Sequence, residues 1–167
     1  MSEQPLSLAD HVCLALVAEG PVHGWAIVKL LARDGDVGRI WSLSRPLTYR
    51  SIERLTADGL IERTPVGRRA DLRLSPAGRS ALRRWRSEPV EHLRDLRTEF
   101  LLKLRLDERR GASSDDLVRR QLDQLRPVIE ALTSAPAETA VDAWRQESAR
   151  AAERFLHRIA DGVVSTP

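Results

Sequence analysis

Apolar residues recur along this chain first at helical spacing, then briefly at strand spacing, then at helical spacing again. Ser7 or Asp10 can cap a helix carrying Leu8, Val12, Leu14, Leu16 and Val17, with Gly20 and Pro21 ending it. His23 and Gly24 open a second helix through Trp25, Ile27, Val28, Leu30 and Leu31. Asp34, Gly35, Asp36 and Gly38 read as a loop, and residues 39–43 as a short extended piece. Ser44 is placed as the N-cap of a third helix, with Pro46 in its first turn and Gly59 as its stop. Ile52 and Leu55, with Leu47 or Thr48 one turn earlier, give that helix a buried stripe. The period then falls to two. Residues 60–66 read as a strand, Gly67, Arg68 and Arg69 as a turn, and Leu72 and Leu74 alternate with Asp71 and Arg73. Ser75 caps a further helix that starts at Pro76 and turns Leu82 and Trp85 inward.

Helix, glycine stop, strand, basic turn, strand, capped helix is the order of a winged helix-turn-helix. The 39–43 piece is expected to pair beside the hairpin as a third strand. Ser87, Glu88 and Pro89 punctuate the chain, so the reading is two domains, 1–88 and 89–167. Residues 90–110 read as one helix, with Leu93, Leu96, Phe100, Leu101 and Leu104 on a broad face and a surface pair between Glu99 and Lys103. After Gly111, Ser113 or Ser114 caps a helix whose Val118, Leu122, Leu125, Ile129 and Leu132 are spaced 4, 3, 4, 3. Pro127 inside it predicts a kink. A last helix over 138–162 is expected to turn Val141, Trp144, Ala151, Phe155 and Ile159 inward. The fold class is therefore mostly α with a small β-wing: a winged helix-turn-helix domain followed by a helical dimerisation domain.

Charge sharpens the division. Residues 1–86 hold 14 Lys+Arg against 9 Asp+Glu, an excess of +5, whereas 87–167 hold 13 against 15, an excess of −2. A basic first half fits a nucleic-acid module, and its cations are nearly all arginine, which suits bidentate phosphate and guanine contacts. Cys13 is the only cysteine and sits in an apolar run, so it is a small buried hydrophobe and no disulfide framework can form. No run approaches the roughly 18 apolar residues of a membrane span, and a cytoplasmic protein is expected. His11, His23, His92 and His157 lack ligand spacing, no glycine-rich phosphate loop or nucleophile elbow occurs, and neither metal, cofactor nor catalysis is expected. Trp25, Trp41, Trp85 and Trp144 are read as core and interface residues rather than as a ligand pocket.

Several motifs occur in a fixed order: Glu19-Gly20-Pro21-Val22-His23-Gly24-Trp25, then Leu47-Thr48-Tyr49-Arg50-Ser51-Ile52-Glu53-Arg54-Leu55, then Asp58-Gly59-Leu60-Ile61, then Leu74-Ser75-Pro76-Ala77-Gly78-Arg79. Together they resemble the PadR family of transcriptional regulators over about residues 8–86. The chain departs from the family's Pro-Gly-Thr-Leu-Tyr at the start of the third helix, where Arg45, Pro46, Leu47, Thr48 and Tyr49 stand. The resemblance implies a sequence-specific, dimeric DNA-binding regulator, a repressor, recognising a double-stranded operator. It also implies a homodimer made by the C-terminal helices and allows a small aromatic effector. Tyr49 and Arg50, with Arg45, Thr48 and Arg54, are the expected DNA-binding residues of the third helix, and Arg68 and Arg69 those of the wing. Dimerisation is expected through Leu96, Phe100, Leu104, Leu122, Leu125, Ile129, Trp144 and Phe155. The competing reading is a winged-helix module that binds a protein partner and no specific DNA.

Overall fold

Seven α-helices, a short 3-10 helix and one two-stranded sheet follow one another in the computed structural model, which describes residues 5–20, 22–67 and 69–162. Pro21, Arg68 and the two chain ends lie outside the described residues. The chain divides into two compact units, Met1–Arg86 and Ser87–Pro167.

The first unit opens with α1 (Leu8–Val17). Ser7 is its cap: the hydroxyl accepts from the Asp10 backbone N–H at 3.2 Å, and the Asp10 carboxylate accepts from the Ser7 N–H at 2.8 Å. This reciprocal pair satisfies two donors that a helix start leaves open. α2 (Gly24–Leu31) and α3 (Arg45–Ala57) follow, and Ile27, Leu31, Ile52 and Leu55 join Val12, Leu14 and Leu16 in a core from which water is excluded. Of the two candidates for the first turn of the α3 stripe, Thr48 is the buried one and Leu47 is 43% exposed. Burying an aliphatic side chain of this kind contributes on the order of 1.5–3 kcal/mol, so this core outweighs the weak helix propensity of so short an element as α2.

The hairpin consists of β1 (Ile61–Val66) and β2 (Arg69–Leu74), antiparallel, with Ile61 opposite Leu74 and Val66 opposite Arg69. Gly67 turns the chain between them at φ +60°, a conformation that L side chains resist. Ile61 and Leu72 are buried under the sheet. α4 (Pro76–Ser87) starts where the Ser75 hydroxyl accepts from the Gly78 N–H at 3.0 Å, and it buries Leu82 and Trp85. The Trp85 ring stacks on His11 of α1, with centroids 5.1 Å apart and planes 7° off parallel.

The expected third strand at 39–43 does not form. That segment turns back on the end of α2: the N–H groups of Val37 and Gly38 donate to the Leu30 carbonyl, and that of Leu43 to the Leu31 carbonyl. These carbonyls have no partner within α2, and the N–H groups of Arg39, Ile40 and Trp41 are taken by the Gly35 and Val37 carbonyls of the same loop, so the donors that a strand would need are used locally. The strand-like partner of the hairpin is Val22, whose carbonyl accepts from the Leu72 N–H at 2.8 Å.

In the second unit the single helix expected over 90–110 is two pieces, a 3-10 helix (Leu93–Arg97) and α5 (Glu99–Arg109). Thr98, at φ −123° and ψ −82°, breaks them apart. α6 (Asp115–Ser134) runs through Pro127, and α7 (Ala140–Ala160) begins with a second reciprocal cap, between Thr139 and Asp142. Phe100, Leu117, Val118, Leu125, Ile129, Ala149 and Leu156 form the core, with Phe155 meeting Phe100 edge-on at 6.5 Å. Polar groups are buried in this unit as well, Gln121 and Lys103 among them. Gln121 bonds both the N–H and the carbonyl of Val90, at 2.8 and 2.9 Å, and so ties the segment after α4 to α6. Lys103, expected on the surface, is 1% exposed: its ammonium donates to the Glu88 carbonyl at 2.7 Å and pairs with Glu99 at 2.9 Å. The carbonyl supplies what a surface ion pair lacks, a second partner that makes burial of the charge tolerable.

Candidate nucleic-acid interface

α3 presents its N-terminal half outward because the buried stripe Thr48, Ser51, Ile52 and Leu55 uses the other side. Arg45, at the first helical position, and Arg50 are exposed; Tyr49 is half-buried. Tyr49 shares a face with Arg45 one turn away, and Arg50 lies roughly 100° further round. No ion pair with a carboxylate, and no hydrogen bond, engages either guanidinium among the described residues. Glu53 follows one turn after Tyr49 and bounds this positive stretch.

Two of the expected contact residues are placed elsewhere. Thr48 is 0% exposed and its hydroxyl donates to the Ser44 carbonyl at 3.1 Å, so it belongs to the core side of α3. Arg54 reaches back to α1, where its guanidinium donates to the Asp10 carboxylate at 3.0 Å and to the Pro5 carbonyl at 3.2 Å, and it lies 3.6 Å from Asp58. Asp10 is buried, and a buried carboxylate demands a cation or several donors. In the wing, Arg69 is the first residue of β2, opposite Val66, and Arg68 is outside the described residues.

The structure adds two residues that the sequence reading did not place here. Trp25, assigned above to packing, is 43% exposed on the first turn of α2, and Lys29 is exposed one turn further along the same face. The Arg45 guanidinium carbon lies 5.4 Å from the Trp25 ring centroid and 5.8 Å from that of Tyr49, and the Lys29 ammonium lies 6.0 Å from Trp25. Gly24 makes room for this: a Cβ there would sit 2.9 Å from Cε1 of Tyr49, so a side chain would push the ring off the start of α2. The signal was present in the spacing. Ile27, Val28 and Leu31 are buried, and residues 25 and 29 fall opposite them on a helix of 3.6 residues per turn. The result is a surface carrying three cations and two aromatic rings, drawn from α2 and the N-terminal half of α3. Such a surface can offer guanidinium and ammonium donors to phosphates and base edges and ring faces to thymine methyls.

In the helical unit, Leu96, Phe100, Leu125 and Ile129, expected at a dimer interface, fill the unit's own core. Leu104, Leu122 and Phe155 pack against that core and are partly buried. The 4-3-4-3 seam of α6 is thus satisfied by α7 of the same chain. Val141 and Trp144, expected inward, are 57% and 74% exposed. The register of α7 is set by Gln146, whose amide donates to the Thr133 and Ala135 carbonyls at 3.2 and 2.9 Å, and by Ala149 and Leu156 below it. Trp144 lies roughly 200° round the helix from Gln146 and therefore faces away. Leu101, Leu104, Val118, Phe155 and Ile159 line a cavity of about 470 Å³ rimmed by Glu108, Ser113 and Asp115. No helix among the described residues is long and apolar enough to cross a membrane.

Three helices followed by an antiparallel hairpin and a fourth helix, with the third helix exposed at its N-terminal end, define a winged helix-turn-helix unit. The chain as a whole is mostly helical with this small sheet. No family model matches the sequence, and no curated protein does. In structure the chain is similar to PadR of Bacillus subtilis, solved in complex with operator DNA, at 18% identity over 93% of this chain and 99% of that one, with a TM-score of 0.47. A PadR-like transcriptional regulator from Bacillus cereus is 18% identical over 92% of this chain and 96% of its own, with a TM-score of 0.45. The virulence activator AphA of Vibrio cholerae is 20% identical over 93% and 92%, with a TM-score of 0.43.

Proposed function

We propose that this chain is a sequence-specific double-stranded-DNA-binding transcriptional regulator, a repressor acting in the cytoplasm without enzymatic activity. The observation that carries the reading is the exposed face of α2 together with the N-terminal half of α3. Arg45, Arg50 and Lys29 stand there beside Trp25 and Tyr49, and none of the three cations has an acidic partner among the described residues. An N-terminal helix half with exposed arginines, followed along the sequence by a Gly-Arg-Arg run at residues 67–69, matches the demands of a major-groove helix and a flanking wing. Arg45, Tyr49 and Arg50 are the groove residues in this reading, Trp25 and Lys29 join them, and Arg68 and Arg69 hold phosphate or the minor groove.

The regulator works as a homodimer through residues 89–167, because one winged unit covers a single half-site. The interface uses exposed apolar residues, Val128, Val141 and Trp144, and not the residues that already fill the helical core. The cavity beside Val118 and Phe155 has a volume suited to a small aromatic effector. The test is selection of duplexes from a randomised pool by the purified chain, followed by titration at several salt concentrations. Enrichment of a two-fold symmetric site, with affinity falling steeply as salt rises, is the expected result. No duplex affinity at low salt would overturn the reading in favour of a protein-binding module.

A further inference from the structure

Arg45 has a singular environment. Its guanidinium lies within cation–π reach of two rings from two different helices, Trp25 on α2 and Tyr49 on α3, at 5.4 and 5.8 Å. Its N–H groups make no hydrogen bond among the described residues. The arrangement is also fixed from below: Tyr49 is half-buried against Gly24, where a side chain would collide with it, and Trp25 is anchored on a helix whose other face is in the core. An arginine on an open helix end ordinarily samples many rotamers and loses up to about 2 kcal/mol of entropy when it binds. Here the side chain has two rings within cation–π reach before any ligand arrives, at the first position of the exposed helix. Arg50 has no such support.

We propose, resting on the DNA-binding reading above, that Trp25 and Tyr49 are positioning residues that hold Arg45 as a preformed reader of guanine. The guanidinium fork matches guanine O6 and N7, and it is the commonest specific side-chain contact in the major groove. Trp25 acts through Arg45, setting base preference at one position without altering the number of phosphates engaged. The Lys29 ammonium, 6.0 Å from the same ring, adds positive potential beside it. Preorganisation by the rings strengthens specific over non-specific binding, since only the specific complex needs the fork in one orientation.

The test uses the full chain, the tightest duplex recovered from a randomised pool, and its single-base-pair variants. Arg45→Ala is expected to lower affinity about tenfold and to flatten preference at one G·C pair in each half-site. Trp25→Leu is expected to lower affinity about fivefold and to loosen preference at that same pair, with the salt slope unchanged. Trp25→Tyr should restore most of the loss. In the Arg45→Ala background, Trp25→Leu should have no further effect. In the free protein, the Arg45 Nε–Hε resonance should carry a ring-current shift that Trp25→Leu removes and Trp25→Tyr retains, a readout independent of DNA. Additive effects of the two substitutions, or a loss spread evenly over all base pairs with a changed salt slope, would overturn the proposal while leaving DNA binding intact. A wild-type chain with no selectivity among duplexes would overturn both.

Discussion

Replacing Arg54 with Met removes the cation that faces Asp10 while keeping most of the aliphatic stem. The Asp10 side chain is 2% exposed and that of Arg54 30% exposed, so the substitution leaves a carboxylate buried without its strongest partner. Breaking a buried ion pair from one side costs roughly 3–5 kcal/mol. Two features reduce that figure here. The Ser7 N–H and hydroxyl remain bonded to the same carboxylate oxygen at 2.8 and 2.7 Å, and Asp10 sits in the first turn of α1, where the helix dipole favours a negative charge. A loss of about 2 kcal/mol remains, which for a unit of this size is a fall of about 10 °C in Tm. Urea unfolding followed by circular dichroism measures it directly. Asp10→Asn in the Arg54→Met background should recover part of the loss, giving a coupling of about 1 kcal/mol in a double-mutant cycle. Duplex affinity, measured well below the unfolding transition, should stay within about twofold of wild type, because the guanidinium contributes to the fold and not to the groove. An unchanged urea midpoint together with a clear loss of duplex affinity would refute this and return Arg54 to the DNA face.

Four further outcomes are expected. Gly78→Ala places a Cβ 2.1 Å from the Leu60 carbonyl oxygen, which is backbone and cannot swing away, so denaturant unfolding should show a loss of about 3 kcal/mol; a wild-type midpoint would mean that α4 and β1 separate easily. Arg68→Ala together with Arg69→Ala should lower specific and non-specific duplex binding alike and reduce the salt slope by about 1–2, and an unaltered slope would remove the wing from the interface. Burial, helped by the Asp10 carboxylate, pushes the Cys13 thiol up from 9.0 to about 12. The folded state therefore favours the neutral thiol: its contribution to stability is complete below pH 9 and is lost as pH rises toward 12, and at pH 8 a thiol reagent should label the unfolded chain only; prompt labelling of the native protein would contradict this. Light scattering at micromolar concentration should give a dimer mass that Trp144→Lys shifts to monomer; a monomeric wild type, or a variant that still dimerises, would show that this face is not the interface.

The local signals in this sequence were strong where a single residue fixes the backbone. Ser7 with Asp10 starts α1, Gly67 turns the hairpin, Ser75 and Pro76 open α4, and Leu72 and Leu74 alternate at the strand period, so the order of the winged unit could be read directly. Arg45, Tyr49 and Arg50 could be placed on one helix for the same reason: a buried stripe at 3.6 spacing leaves them on the remaining faces. Choices between partners of similar chemistry were a different matter. Whether residues 39–43 or Val22 pairs with the hairpin depended on the carbonyls at the end of α2 and in the loop after it, which took the N–H groups of 37–41 and 43. Whether Arg54 faced a phosphate or a carboxylate depended on Asp10, 44 residues away in sequence. Whether Trp144 turned inward depended on two carbonyls at the end of α6 that Gln146 caps. Hydrophobicity ranks Trp144 above Gln146, but an unpaired carbonyl near a helix end needs a donor, and that demand set the register of α7. Trp25 shows the same division at the candidate site. Its place on a helix face is a property of the sequence, whereas its approach to Arg45 and Tyr49 came from the crossing of α2 and α3 at Gly24, a contact between elements that local periodicity does not encode.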